Sequence, residues 1–314
     1  MVARSTNQLG AASTRGSGQK VREEEHIVKL GVITNGISMD LEHALQVMNE
    51  FGLEYAELQF VWDKEVGDLS SAEVGRVQDL LSMYNVKVSC ISRGVFGGLL
   101  LDDLEIDSPV YLEQVSAFRR CIDIAKTLDC ALVRVMSFRK EMILFGSHGA
   151  DIWNVSVGAW DKLVNLMKVP VRIAEEAGVT LVVETGNNGM INSAYLGRKL
   201  IDELDTNHLK VLWDPCNCLY CNEPAYPDGY ESLKTGYLGH IHLKDALIDI
   251  PKATIRCTAL GDGHMAPYLE PLAKALKTDA YDGVVSLESV YRPDGGNFED
   301  GFRTSVNVMK QLFC

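Results

Sequence analysis

Four residues that commonly bind metal ions lie at the ends of four β-rich runs. Glu184 ends TLVVE, Asp214 ends VLWD, Glu288 ends GVVSLE, and His242 lies one residue before the end of HIHL. Successive side chains of a β-strand point to opposite faces of the sheet, so these four side chains lie on the face opposite to that of their apolar neighbours. If the strands adjoin, three carboxylates raise one another's pKa unless a cation neutralises them. We therefore predict one divalent ion, Mn²⁺ or Mg²⁺ in preference to Zn²⁺ or Co²⁺.

Eight β-rich runs alternate with amphipathic stretches and would bring these residues to one rim. Strand and helix repeated over roughly 285 residues match a (β/α)8 TIM barrel, an α/β fold whose active site forms at the C-terminal ends of the strands. The alternative is a doubly wound open sheet, but VITNGIS has only one glycine where such sheets usually have a Gly-rich turn. The runs span residues 30–34, 55–60, 86–91, 131–136, 180–184, 211–214, 240–243 and 283–288.

Six motifs resemble the sugar phosphate isomerase/epimerase family, whose members have a xylose isomerase-like TIM barrel. They are ETGNNG, WDPCN, PDGYE, HIHLKDA, LGDG and SLE, in this order. The resemblance covers roughly residues 28–314, and the first half shares only the strand and helix rhythm. It implies that one divalent metal is held by four ligands and that the two glutamates among them move protons. By this resemblance the ligands are Glu184, Asp214, His242 and Glu288.

A metal ion beside two glutamates is suited to proton transfer at a carbon next to a carbonyl group. We predict an isomerase or epimerase that acts on a sugar or related polyhydroxy carbonyl compound through a metal-stabilised enediolate. A lyase or decarboxylase acting on an oxidised sugar or keto-glycoside uses the same enolate and is the main alternative. An endonuclease IV-like repair enzyme and a non-catalytic sugar-binding subunit are remote alternatives.

Six further residues are candidate substrate contacts. Lys244 faces inward near the rim, and Arg134 should either pair with an acid such as Glu57 or reach the substrate. Ketose 3-epimerases have a histidine and an arginine where this chain has Asn217 and Ile248, which argues against a free ketose. The full set of candidates is Asn217, Lys244, Arg93, Arg134, His264 and Trp62.

The composition of the 314-residue chain limits its partners. With 30 basic and 43 acidic residues, a net charge of −13 disfavours nucleic acid or anionic lipid as a partner. We expect a carbohydrate substrate. We also expect a cytoplasmic location, because no apolar run is long enough to span a membrane. Whether the chain forms a homo-oligomer is left open. Residues 1–26 are predicted to be a disordered tail and residues 27–314 a single TIM-barrel domain. The segment 137–160 is long enough to form a lid, and its role stays open.

Overall fold

The computed structural model describes residues 26–140 and 158–314. The predicted tail, apart from residue 26, and the middle of the 137–160 segment lie outside the described residues. Eight parallel strands form a closed barrel, which confirms the predicted fold class. Their bounds are Lys29–Ile33 (β1), Tyr55–Leu58 (β2), Lys87–Ile91 (β5), Leu132–Val135 (β6), Thr180–Glu184 (β7), Leu209–Trp213 (β8), Leu238–Leu243 (β9) and Val284–Leu287 (β12). Around the barrel they follow the order β1, β12, β9, β8, β7, β6, β5 and β2.

Helices pack around the outside of the barrel. Two of their ends are set by local residues: Ser70 and Glu73 form a reciprocal capping box, and Gly178 ends a helix with a φ of +70°. The helices are Leu41–Glu50 (α1), Ser71–Tyr84 (α2), Pro109–Thr127 (α3), Ala159–Ala177 (α4), Ala194–Leu204 (α5), Pro215–Leu219 (α6), Tyr230–Leu233 (α7), Ala266–Thr278 (α8) and Phe298–Phe313 (α9). None of the described helices is long and apolar enough to cross a membrane.

The main hydrophobic core lies between the barrel strands and these helices. Trp213, which precedes Asp214, is fully buried there, and its ring centroid lies 6.4 Å from that of Tyr230. Inside the barrel, Cys90, Val182 and Leu212 form a separate small apolar cluster. The polar side chains of the barrel interior therefore share their space with an apolar layer, in which unpaired charges are costly.

Two antiparallel hairpins, which the sequence did not predict, follow strands β2 and β9. The first joins Phe60–Val61 (β3) to Lys64–Glu65 (β4). The second joins Asp245–Asp249 (β10) to Thr254–Thr258 (β11). They add structure at the end of the barrel where the strand-end residues lie.

The Asp245 carboxylate ties the second hairpin to the LGDG motif. It accepts hydrogen bonds from the backbone N–H groups of Gly261 and Gly263 at 2.9 and 3.0 Å, and from that of Met265 at 2.8 Å. A Cβ atom at Gly263 would overlap this carboxylate, so the position requires glycine. The motif thus anchors the loop that follows Lys244.

Candidate active site

The four predicted metal ligands meet at the C-terminal end of the barrel. Each of Glu184, Asp214, His242 and Glu288 offers one nitrogen or oxygen atom, and these four atoms all lie within 4.8 Å of one another. Glu184 ends β7, Asp214 follows β8, His242 lies in β9 and Glu288 follows β12. Because β7, β8, β9 and β12 are consecutive around the barrel, their ends converge. The structure thus brings together the cluster predicted from the sequence.

The donor atoms fit a cation. His242 Nδ1 faces Glu184 Oε1 at 3.4 Å and Glu288 Oε2 at 3.8 Å. His242 Nδ1 is buried and makes no hydrogen bond with a described residue. Buried polar atoms are rarely left without a partner, and three carboxylates with one imidazole form a common ligand set for divalent ions.

Lys244 lies against two of the acids. Its Nζ atom is 2.6 Å from Asp214 Oδ2 and 2.6 Å from Glu288 Oε2. Only 12% of the Lys244 side chain is exposed, so the ammonium group has been removed from most of its solvent. The lysine was predicted as a substrate contact, and the structure places it directly beside the candidate metal ligands.

Arg134 supports Glu184 from the neighbouring strand β6. Its Nη1 atom donates a hydrogen bond to Glu184 Oε2 at 2.9 Å, and its Nη2 atom donates to the backbone carbonyl of Ser92. From the sequence, Arg134 was predicted to pair with an acid such as Glu57 or to reach the substrate. The ion pair instead forms with Glu184, because β6 and β7 are adjacent and Arg134 is only 4% exposed.

The surrounding charges set different pKa values for the three acids. Burial alone would raise the pKa of Glu184, but Arg134 and His242 outweigh it and lower that pKa to about 2. At Glu288 burial again acts to raise the pKa, but Lys244 and His242 outweigh it and the pKa is lowered. At Asp214 burial prevails over Lys244 and raises the pKa to about 7. Both glutamates are therefore ionised at neutral pH and can accept protons.

Glu57 and His240 complete the buried polar network, and their role was not predicted from the sequence. Glu57 accepts hydrogen bonds from His240 Nε2 and His242 Nε2, each at 2.8 Å, and from the Ser92 hydroxyl. Burial raises the pKa of Glu57, but the two histidines outweigh it and hold the pKa well below its usual value. The only available signal was the inward register of His240 and His242 on one strand.

Asn217 and His264 make backbone contacts at the same end of the barrel. Asn217 Nδ2 donates to the carbonyl of Thr185 at 3.0 Å, one residue after Glu184. His264 is exposed, and its Nδ1 atom accepts a hydrogen bond from the backbone N–H of Ile248 at 3.1 Å. Contact between either residue and a substrate stays a prediction.

Arg93 and Trp62 have other partners. Arg93 forms ion pairs with Glu65 at 2.7 Å and Asp68 at 2.6 Å, and neither acid belongs to the four-ligand cluster. Trp62 forms the turn of the first hairpin, and the guanidinium carbon of Arg76 lies 4.5 Å from the centroid of its ring. These contacts give both residues a structural explanation, and substrate binding by them stays a prediction.

Comparison with known proteins agrees with this architecture. A family model described as xylose isomerase-like TIM barrel matches residues 45–312, and the chain belongs to this family. A D-psicose 3-epimerase from Ruminiclostridium cellulolyticum is 27% identical over 141 residues. That alignment spans 44% of this chain and 44% of the relative.

Two solved structures extend the likeness across the fold. The 3-keto-D-glucoside 4-epimerase from E. coli matches this chain with a TM-score of 0.65 at 17% identity. The match covers 91% of this chain and 98% of the epimerase chain. The IOLI protein, solved with a bound zinc atom, has a TM-score of 0.67 at 18% identity with the same two coverages. At these identities the likeness establishes the shared fold.

Proposed function

We propose that the chain is a divalent-metal-dependent isomerase or epimerase acting on a sugar or related polyhydroxy carbonyl compound. The observation that carries this proposal is the convergence of Glu184, Asp214, His242 and Glu288 within 4.8 Å. Membership of the family and the likeness to two epimerases support the reaction class. Mn²⁺ or Mg²⁺ suits the oxygen-rich ligand set, and the zinc-bound relative makes Zn²⁺ a further candidate.

The two glutamates are the proposed proton-transfer groups. They come from β7 and β12, with two strands between them, and so approach the cluster from different sides. Arg134 holds Glu184 and Lys244 holds Glu288, which keeps both carboxylates ionised and oriented. One glutamate would take a proton from carbon and the other would return one. Return to the same carbon from the opposite face gives an epimer, and return to the adjacent carbon gives an isomer.

The charges beside the acids suit a reaction that develops negative charge on oxygen. When bound, a divalent cation supplies a Lewis acid that polarises the substrate carbonyl group. Lys244 adds a second positive charge at the same place, because its ammonium group lies between Asp214 and Glu288. The burial of Glu184 and Asp214 keeps bulk water from screening these charges.

An oxidised sugar is the substrate class that we favour. Asn217 and Ile248 replace the histidine and arginine of ketose 3-epimerases, which argues against a free ketose, and Lys244 is able to stabilise the oxyanion that an oxidised sugar would form. The fold likeness to a 3-keto-D-glucoside 4-epimerase is consistent with this preference. A cytoplasmic location, a carbohydrate as substrate, and the absence of nucleic-acid and membrane partners stay predictions.

The test is proton exchange with the solvent. Free, phosphorylated and 3-keto sugars are incubated with the Mn²⁺-loaded protein in D₂O, and proton NMR and product mass are followed. We expect deuterium at one carbon and a product that differs from the substrate only in configuration or carbonyl position. A product of lower mass would instead identify a lyase. Sugar binding without exchange would contradict an isomerase and favour a sugar-binding subunit.

A further inference from the structure

Two histidines of one strand share a carboxylate from another part of the barrel. His240 and His242 lie on β9, and Glu57 lies on β2, with β1 and β12 between these strands. All three side chains are fully buried. Glu57 Oε2 meets His240 Nε2 and Glu57 Oε1 meets His242 Nε2, each at 2.8 Å. The carboxylate therefore reaches across the barrel interior to both imidazoles.

The contact determines which nitrogen of His242 can bind a cation. His242 Nε2 lies 2.8 Å from Glu57 Oε1, and a carboxylate oxygen at this distance accepts a hydrogen bond, so Nε2 is the nitrogen that carries the hydrogen. The nitrogen that faces Glu184 and Glu288 is therefore Nδ1. A carboxylate that holds the far nitrogen of a ligating histidine fixes both the tautomer and the ring orientation.

We propose that Glu57 is a positioning residue that holds His242 with Nδ1 directed at the metal centre. This inference rests on the proposed function, because it assumes that the four-residue cluster binds a divalent ion. Glu57 makes no contact with substrate in this proposal and acts only through His242. His240 anchors the second oxygen of Glu57, and that arrangement keeps the carboxylate from rotating away.

Ser92 links this support to the support of Glu184. Its hydroxyl donates to Glu57 Oε1, and its backbone carbonyl accepts from Arg134, which in turn holds Glu184. Ser92, the residue that follows strand β5, thus helps to orient two ligands of the same cluster. A shared support of this kind keeps the spacing between His242 and Glu184 constant.

A second metal ion is the competing explanation. Glu57, His240 and His242 also offer three atoms within 4.8 Å of one another. Against this explanation, both Glu57 oxygens already accept hydrogen bonds from the imidazoles at ordinary hydrogen-bond distances. A cation at Glu57 would have to displace these hydrogens, and His242 would then bridge two ions through both nitrogens. The number of ions per chain separates the two explanations.

The first experiment compares Mn²⁺ binding to the wild type and to Glu57→Gln by titration calorimetry. We expect one site in each, with a dissociation constant about 10–100 times larger in the variant. Glu223→Gln is the matched control, because Glu223 caps the helix at Ala194 and Tyr195, does not belong to the four-ligand cluster, and should leave Mn²⁺ affinity unchanged. Unchanged affinity in a folded Glu57→Gln protein would overturn the proposal. Two ions in the wild type and one in the variant would make Glu57 a ligand instead.

The second experiment does not depend on a variant that folds. The chain has seven histidines, and ¹⁵N-histidine labelling of the Zn²⁺-loaded wild type reports which nitrogen of each ring binds the metal. We expect His242, assigned through its bonded correlations to the backbone, to bind through Nδ1 and to keep a slowly exchanging hydrogen on Nε2. Coordination through Nε2 would overturn the proposal. A wild type that binds no divalent ion would instead contradict the proposed function itself.

Discussion

Lys244 and Asp214 form a buried ion pair at the mouth of the barrel, with 2.6 Å between Nζ and Oδ2. They lie just beyond the ends of the adjacent strands β9 and β8. The same ammonium group reaches Glu288 at 2.6 Å, so one lysine neutralises part of the charge that attracts a cation. Lys244 therefore competes with the metal for these acids, although its charge would also assist the reaction.

Lys244→Met is expected to separate these two effects. Because the ammonium group no longer competes, Mn²⁺ should bind at least about ten times more tightly, a gain of ~1.4 kcal/mol. Turnover should fall by about 100-fold, because the developing oxyanion loses a cation. Calorimetry and steady-state kinetics measure the two effects. Lys252→Met, at an exposed lysine that pairs with Asp249, should change neither. Weaker Mn²⁺ binding in Lys244→Met would show that the lysine supports the metal site.

Glu288→Gln tests the proton-transfer role. The amide cannot take or return a proton, so exchange with solvent deuterium should fall by about 10²–10⁴-fold. The thermal unfolding midpoint should stay close to that of the wild type, because residues at this end of a barrel serve activity more than stability. Turnover equal to that of the wild type would remove Glu288 from the mechanism.

Removal and return of the metal should change stability. After treatment with a chelator, Mn²⁺ added at 100 times its dissociation constant should stabilise the fold by about 2.7 kcal/mol. Differential scanning calorimetry would record this as a rise in Tm. The rise should disappear in Asp214→Asn and persist in Asp294→Asn, at an exposed aspartate. An equal rise in both variants would place the ion elsewhere on the protein.

Arg134 and Arg93 should differ strongly in their contribution to stability. Arg134→Gln leaves the buried Glu184 carboxylate unpaired, which should lower the free energy of unfolding by about 3–5 kcal/mol. Arg93→Gln breaks pairs with the partly exposed Glu65 and Asp68 and should cost no more than about 1 kcal/mol. Urea unfolding measures both. If Arg134→Gln kept wild-type stability and only raised KM, the arginine would be a substrate contact.

The strands and the four candidate ligands could be predicted because both depend on local pattern. Apolar alternation identifies a strand, and the residue at its C-terminal end lies at the rim whatever its neighbours are. Glu184 and Asp214 were found in this way.

The partners inside the barrel could not be predicted from such patterns. Glu57 meets His242 across 185 positions of sequence, and the pairing depends on how the barrel closes. Arg134 pairs with Glu184 and not with Glu57, and this too depends on which side chains come within reach of each other inside the closed barrel. The first hairpin was missed because Trp62 and Asp63 make its turn with positive φ angles, without glycine.

The donor atoms and the residues that orient them come from different halves of the barrel, which has a consequence for protein engineering. Strands β7 to β12 supply the candidate donor atoms, whereas Glu57, Ser92 and Arg134 come from the earlier part of the chain. A chimaera that exchanged the first four barrel strands would retain each donor and lose the groups that aim two of them. Directed evolution of a new specificity should therefore begin in the rim loops and leave this inner scaffold untouched.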